Sequence, residues 1–150
     1  MLSTHLVQMI ESHAEQITTE FTNRLHEDPG LANLKRLHDA ELRRRANSIL
    51  RRLGDWLEES DEKQIAASYE AVGRQRFEEH VPLHESVRGF QRLKDTTIAY
   101  IRNQGLRQTT VDLYAEGELE HVLGQFFDKA IYYLVRGYEG ARRHMEAAAG

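Results

Sequence analysis

The 150-residue chain contains no cysteine, which excludes disulfide bonds and metal sites that use thiolate ligands. It has only two prolines and ten glycines, the residue types that interrupt helices most often. No apolar run approaches the roughly 20 residues that a membrane-spanning helix needs, and the N-terminus does not resemble a secretory signal. The sequence therefore predicts a cytoplasmic, all-α protein with no membrane segment.

At 17.4 kDa the chain has the size of one domain, and we expect residues 1–150 to form it. The net charge of −4 is unevenly placed: residues 31–53 carry seven basic and two acidic side chains, whereas residues 54–70 carry one basic and six acidic ones. Solvated helix faces that attract each other or a second copy explain this pattern. Because the pI is near 6.1, we expect no nucleic-acid partner.

The stretch from Tyr69 to Leu93 predicts two helices joined by a fixed corner. Pro82 has the φ angle of a first helical residue and lacks the N–H that would be unpaired there, so we expect a helix to begin at it. The residue before a proline prefers an extended conformation, which ends the preceding helix by about His80. Glu85 falls in the first turn of the next helix, where the helix dipole favours a carboxylate.

The same residues resemble a known family. The pattern runs Tyr69, Gly73-Arg74-x-Arg76, then Val81-Pro82-Leu83-x-Glu85-x-x-x-x-Phe90-x-x-Leu93. It is similar to the RsbRD-type N-terminal sensor domain, which precedes the STAS domain of bacterial stressosome co-antagonists and also precedes some histidine kinases. The resemblance implies a globin-like, usually haem-free fold that dimerises and senses a signal. His80 departs from the pattern, because we expect a glycine before the Val-Pro-Leu turn.

Apolar residues at helical spacing predict the rest of a bundle of about five helices. The first runs from Ser3 or Thr4 to Asp28, and the leucines of residues 31–37 add a short turn to the core. The second begins at an Asp39 cap and continues to Leu57. A third begins at residues 60–62 and ends at the corner, and Gly105 closes the fourth.

The last helix is the longest, beginning at Thr109 or Thr110 and reaching Ala149 without a proline. Residues 142–146 are polar, and we expect residues 140–150 either to fray or to lead to an output domain. Apolar side chains surround most of this helix, and a monomer would leave part of them in water. We therefore predict a homodimer whose interface includes Val122, Phe126, Tyr133, Val135, Gly137, Tyr138 and Ala141.

Haem and metal are alternatives, because the chain has eight histidines. If haem binds, His13 on the first helix or His84 at the corner is the expected ligand, although both also fit roles at the edge of the core or on the surface. A di-iron site needs two Glu-x-x-His pairs, and only Glu118-x-x-His121 matches. We therefore expect no cofactor and no metal.

The strongest functional candidate is the pair Arg74 and Arg76. Either these arginines fix the corner by pairing with Glu78, Glu79 or Glu85, or they contact an anion or a partner protein. The chain has no nucleophile elbow, no Gly-rich phosphate loop and no Cys-His arrangement, so we expect no enzyme activity. The candidate signal or partner contacts are Tyr69, Arg74, Arg76, His84 and Glu85.

Together these features predict a signal-sensing, dimerising regulatory domain that is not catalytic. Its expected partners are a second copy of itself and an output domain or signalling protein. Two alternatives remain open: a globin-type sensor that binds haem or another small ligand, and a helical-bundle metalloprotein.

Overall fold

The computed structural model describes residues 3–104 and 109–149, and over those residues it is helical without a β-strand. This confirms the all-α prediction and the long C-terminal helix; the predicted helix end at Gly105 lies outside the described residues. Short 3-10 turns at Pro29–Leu31 and Leu34–Arg36 and a π-helical turn at Asp55–Glu59 connect the longer elements. The α-helices are α1 (Thr4–Ser12), α2 (Ala14–Glu27), α3 (Asp39–Leu50), α4 (Glu62–Glu78), α5 (Leu83–Asn103) and α6 (Thr110–Ala149).

The first predicted helix is divided in two at His13. Ser3 caps α1 as expected, accepting a hydrogen bond of 3.3 Å from the Leu6 N–H. At His13 the backbone leaves helical geometry (φ −109°, ψ 21°), and the imidazole Nδ1 lies 2.8 Å from the Met9 carbonyl oxygen that also accepts from the His13 N–H. The helix is thus interrupted at a residue that is neither proline nor glycine. His13 is exposed at this junction.

The second predicted helix is shorter than its apolar pattern indicates. Its cap is His38, whose Nδ1 accepts from the Ala40 N–H at 3.2 Å, so Asp39 is the first helical residue and not the cap. α3 ends at Leu50, and the chain reaches Leu57 through the π-helical turn. Leu53 remains fully buried all the same, because its apolar side chain enters the core from the connecting segment.

The corner between α4 and α5 forms close to where it is predicted. α4 begins with a capping box between Asp61 and Gln64 and ends at Glu78, and Pro82 directly precedes α5. His80 has a φ of +59°, the left-handed conformation that glycine adopts at least cost. Glycine, the residue expected at this position, would adopt this conformation at lower cost. His80 adopts it under strain.

Replacing His80 with glycine is expected to raise the free energy of unfolding by about 0.5–1 kcal/mol. The left-handed conformation costs other residues about 1–2 kcal/mol, and the greater freedom of glycine in the unfolded chain cancels part of that gain. Denaturant unfolding measures the change. His84→Gly, inside α5, is the control and is expected to lower the midpoint. A lower midpoint for His80→Gly would contradict the strain at the corner.

The most extensive helix contact joins α4 to α6, and it brings the two backbones together. A Cβ added to Gly73 would lie 2.0 Å from the Leu134 carbonyl oxygen, and one added to Gly137 would lie 2.1 Å from the Glu70 carbonyl oxygen. Neither position has room for any side chain. The close approach allowed by Gly137 is therefore made to α4 of the same chain.

Candidate functional site

Arg76 is the centre of a polar network that joins α4 to α3. Its side chain is 6% exposed, and Nη1 donates to Glu79 Oε1 at 2.6 Å and lies 3.7 Å from Glu41 Oε1. Gln75 Nε2 donates to the same Glu41 oxygen at 2.6 Å, and Arg45 Nε reaches it at 3.5 Å. The network therefore contains the predicted pairing of Arg76 with Glu79. It also contains Glu41 on α3, a contact that the sequence around the corner does not predict.

Arg45 makes a longer hydrogen bond in this network than Arg76 does: 3.5 Å to Glu41, compared with 2.6 Å from Arg76 to Glu79. Burial lowers the pKa of its guanidinium most strongly, repulsion from Arg76 lowers it further, and Glu41 opposes both effects. Two guanidinium groups thus lie near enough to repel each other at the edge of the core. Arg74, by contrast, is exposed on the other side of α4, so the predicted arginine pair is divided between two environments.

Tyr69 lies in the aromatic core. Its ring centroid is 5.4 Å from that of Trp56, 5.7 Å from Phe90 and 5.8 Å from Phe126. Burial raises the pKa of its phenol, and its hydroxyl has no hydrogen-bond partner among the described residues. Tyr69 is thus enclosed by rings from three other elements and is 3% exposed.

Glu85 binds the 3-10 turn that precedes α3. Its carboxylate accepts from the Asn33 N–H at 2.8 Å, from Asn33 Nδ2 at 2.7 Å and from the Leu34 N–H at 3.1 Å. Burial raises its pKa, but the hydrogen bonds from Asn33 and Leu34 outweigh that effect and leave the pKa lowered. His84, its neighbour, is exposed at the surface of the corner.

A second carboxylate clamp lies at the end of α2 and is absent from the sequence-based predictions. Asp28 accepts from Arg88 Nε at 2.9 Å and from Arg92 Nη2 at 2.9 Å, and also from the Gly30 N–H at 2.8 Å. The Arg88 guanidinium, with the Gly30 N–H and Arg92, holds the pKa of Asp28 far below its usual range. The spacing of two arginines four residues apart on α5 is the signal that could have indicated it.

Comparison with known proteins identifies the family. A family model described as "RsbT co-antagonist protein rsbRD N-terminal domain" matches residues 11–149. The chain belongs to this family. The resemblance carried by the corner motif is confirmed, and membership makes this RsbRD N-terminal domain a regulatory domain of the RsbT co-antagonist type. No curated protein and no solved structure matches the chain significantly.

Both histidines predicted as possible haem ligands lie at the surface of the RsbRD domain. His13 is exposed at the α1–α2 junction with its ring 5.7 Å from that of Tyr100, and His84 is exposed at the corner. Within residues 3–104 and 109–149, no group of three or more metal-ligating side chains could hold an ion, and no helix is long and apolar enough to cross a membrane. Phe127, Phe126 and Tyr69 fill the centre of the domain.

The predicted dimer residues on α6 divide into two groups. Phe126, Gly137 and Tyr138 lie inside the domain itself, where the Tyr138 hydroxyl donates to the Val81 carbonyl oxygen at 2.7 Å. The other four keep part of their surface in solvent; Tyr132 is 55% exposed between them, and the open positions Gly117 and Gly124 precede it. The partly exposed members are Val122, Tyr133, Val135 and Ala141.

Proposed function

We propose that this RsbRD domain is a non-catalytic, dimerising sensor of a bacterial stress-response protein, with a globin-like arrangement of helices and a cytoplasmic location. The observation that carries the proposal is the geometry of α6. This helix has 40 residues, about 60 Å at 1.5 Å per residue, which exceeds the diameter of a domain this size. Its buried face packs on α4 and α5, and residues 142–149 are exposed.

The proposed signal passes from α4 to α6 through their backbone contact. At Gly73 and Gly137 no side chain lies between the helices, so a shift of one helix has to move the other. One helical turn after Gly73, Phe77 packs edge to face on Tyr138, the residue after Gly137, with ring centroids 5.4 Å apart. These contacts support a rigid connection between the corner and the C-terminal half of α6. The expected receiver is an output domain or a signalling protein.

The proposed dimer forms on the outward side of α6. Tyr132 and Val135 supply apolar surface there, and the absence of a side chain at Gly117 and Gly124 leaves space for a second helix to approach. Val122 and Tyr133 border the other edge of this surface. Pairing two copies would cover apolar area that a single copy leaves in water.

Light scattering of the purified chain tests the dimer, with about twice 17.4 kDa expected at micromolar concentration. Val135→Glu is expected to give a monomer, because it places a charge in an apolar interface. Ala67→Glu adds the same charge to the exposed side of α4 and is expected to leave the dimer intact. A wild-type chain that stays monomeric at high concentration would remove the proposed interface.

A further inference from the structure

A cavity of about 50 Å³ lies between α2, α3, α4 and α5, partly open to solvent. One water needs about 10–15 Å³ of such space, so the cavity accepts roughly three to five non-hydrogen atoms of a ligand whose remaining atoms lie at its open side. Its only charged lining residues, among those the structure describes, are Arg45 and Arg76. The walls are otherwise mainly apolar and include Phe21, Leu42, Ile49, Phe90 and Leu93.

The guanidinium groups at this cavity have donors that the polar network does not use. Among the described residues, all hydrogen bonds of Arg76 leave from Nη1, although a guanidinium has five N–H donors. Arg45 makes a single contact, at 3.5 Å, to Glu41. Gln75, Arg45 and Arg76 all approach the same oxygen, Glu41 Oε1, and Gln75 makes the shortest bond to it. The two arginines therefore have remaining capacity for an acceptor.

The charge at the cavity favours an anion as that acceptor. Arg45 and Arg76 repel each other beside the carboxylates of Glu41 and Glu79, neither of which lines the cavity. A carboxylate placed between the two guanidinium groups would reduce this repulsion and form charge-assisted hydrogen bonds. An alkyl chain attached to it would enter the apolar part of the cavity.

We propose that this cavity binds a short-chain monocarboxylate, with its carboxylate on Arg45 and Arg76 and its alkyl tail against Leu42, Ile49 and Leu93. The cavity volume restricts the tail to a few carbon atoms, as in propionate or butyrate. Ser86 is also among the lining residues. Longer acids do not fit unless the walls move.

The bound acid would act directly on the helix that contacts α6. Arg76 is three residues after Gly73 on α4, so a ligand that repositions Arg76 acts within one helical turn of the backbone contact with Leu134. The role of the acid as a signal rests on the sensing function proposed above. Binding itself does not, because it requires neither the dimer nor an output domain.

Titration of the purified chain with sodium butyrate tests the site, with sodium chloride matching the ionic strength. NMR of labelled leucine and isoleucine methyl groups is expected to show saturable shifts at Leu42, Ile49 and Leu93, with a Kd on the order of 1 mM. Butyramide has the same shape without the charge, and we expect its affinity to be lower by about tenfold or more. Equal binding of the two compounds, or shifts that do not saturate, would overturn the proposal.

Two variants separate the site from general effects of charge. Arg45→Gln is expected to weaken butyrate binding about tenfold or more, whereas Arg44→Gln, on the exposed side of the same helix, should leave it nearly unchanged. Ala46→Leu fills the cavity from its α3 wall and should abolish the methyl shifts. Equal effects of the two arginine variants would refute the anion contact. If the chain does not bind butyrate but forms a dimer that Val135→Glu dissociates, the binding inference is refuted and the proposed dimer is not.

Discussion

Gly137→Ala is expected to lower the free energy of unfolding by about 3 kcal/mol, because the added methyl group has no space. The new Cβ would lie 2.1 Å from the Glu70 carbonyl oxygen and 2.7 Å from the Glu70 Cα. These are backbone atoms of another helix, which cannot rotate away as the end of a side chain can. α4 and α6 would have to separate, and the core between them would lose contacts along both helices. Denaturant unfolding measures the loss.

Gly140→Ala is the matched control, since this glycine lies on the same helix and a Cβ there would meet nothing within 4 Å. It is expected to raise the free energy of unfolding by about 0.5–1 kcal/mol, the usual gain for alanine over glycine in a helix. The two substitutions are chemically identical and differ only in what faces them. Similar midpoints for both variants would show that the backbones of α4 and α6 are not in contact.

Glu85→Ala is expected to have the second largest effect, a loss of about 2–3 kcal/mol in the free energy of unfolding. The change leaves the N–H groups of Asn33 and Leu34 without their acceptor, and each unsatisfied buried donor costs about 1–3 kcal/mol. Glu78→Ala, at an exposed position of α4, is the control and should stay within about 0.5 kcal/mol of the wild type. Equal stability of the two variants would mean that the 3-10 turn is held by other contacts.

The same carboxylate makes stability depend on pH. Because the folded-state pKa of Glu85 is lowered below its ordinary value of 4.5, its contribution is complete above that value and is lost as pH falls through the folded-state pKa. The pKa of Asp28 is lowered in the same direction, so both clamps weaken in acid. Between pH 6 and pH 3, the wild type should therefore lose more stability than Glu85→Ala. Parallel loss in both proteins would contradict this assignment.

Local sequence patterns predict the helices well where each signal lies near the element it specifies. The end of α4, the role of Pro82 and the unusual conformation at His80 all follow from a dozen neighbouring residues. The length of α6 follows from the absence of proline after Thr110. The break at His13 has no such signal, because neither proline nor glycine marks it in the sequence.

Long-range partners explain most of what the sequence does not reveal about the site. Glu85 is predicted to act on its own helix dipole, yet it binds Asn33, 52 residues away. Arg76 pairs with the expected Glu79, but its contact with Glu41 depends on how α3 packs. Gly137 is a comparable case: it is predicted in the dimer interface, whereas in the structure it lies against the backbone of α4 in the same chain.

The contact at Gly137 also makes the end of α6 a lever with a fixed fulcrum. Twelve helical residues follow it to Ala149, which gives an arm of about 18 Å at 1.5 Å per residue. A tilt of about 10° at the fulcrum would displace the far end by about 3 Å, roughly half the pitch of a helical turn. Small movements near the corner would thereby be enlarged at the end of the helix.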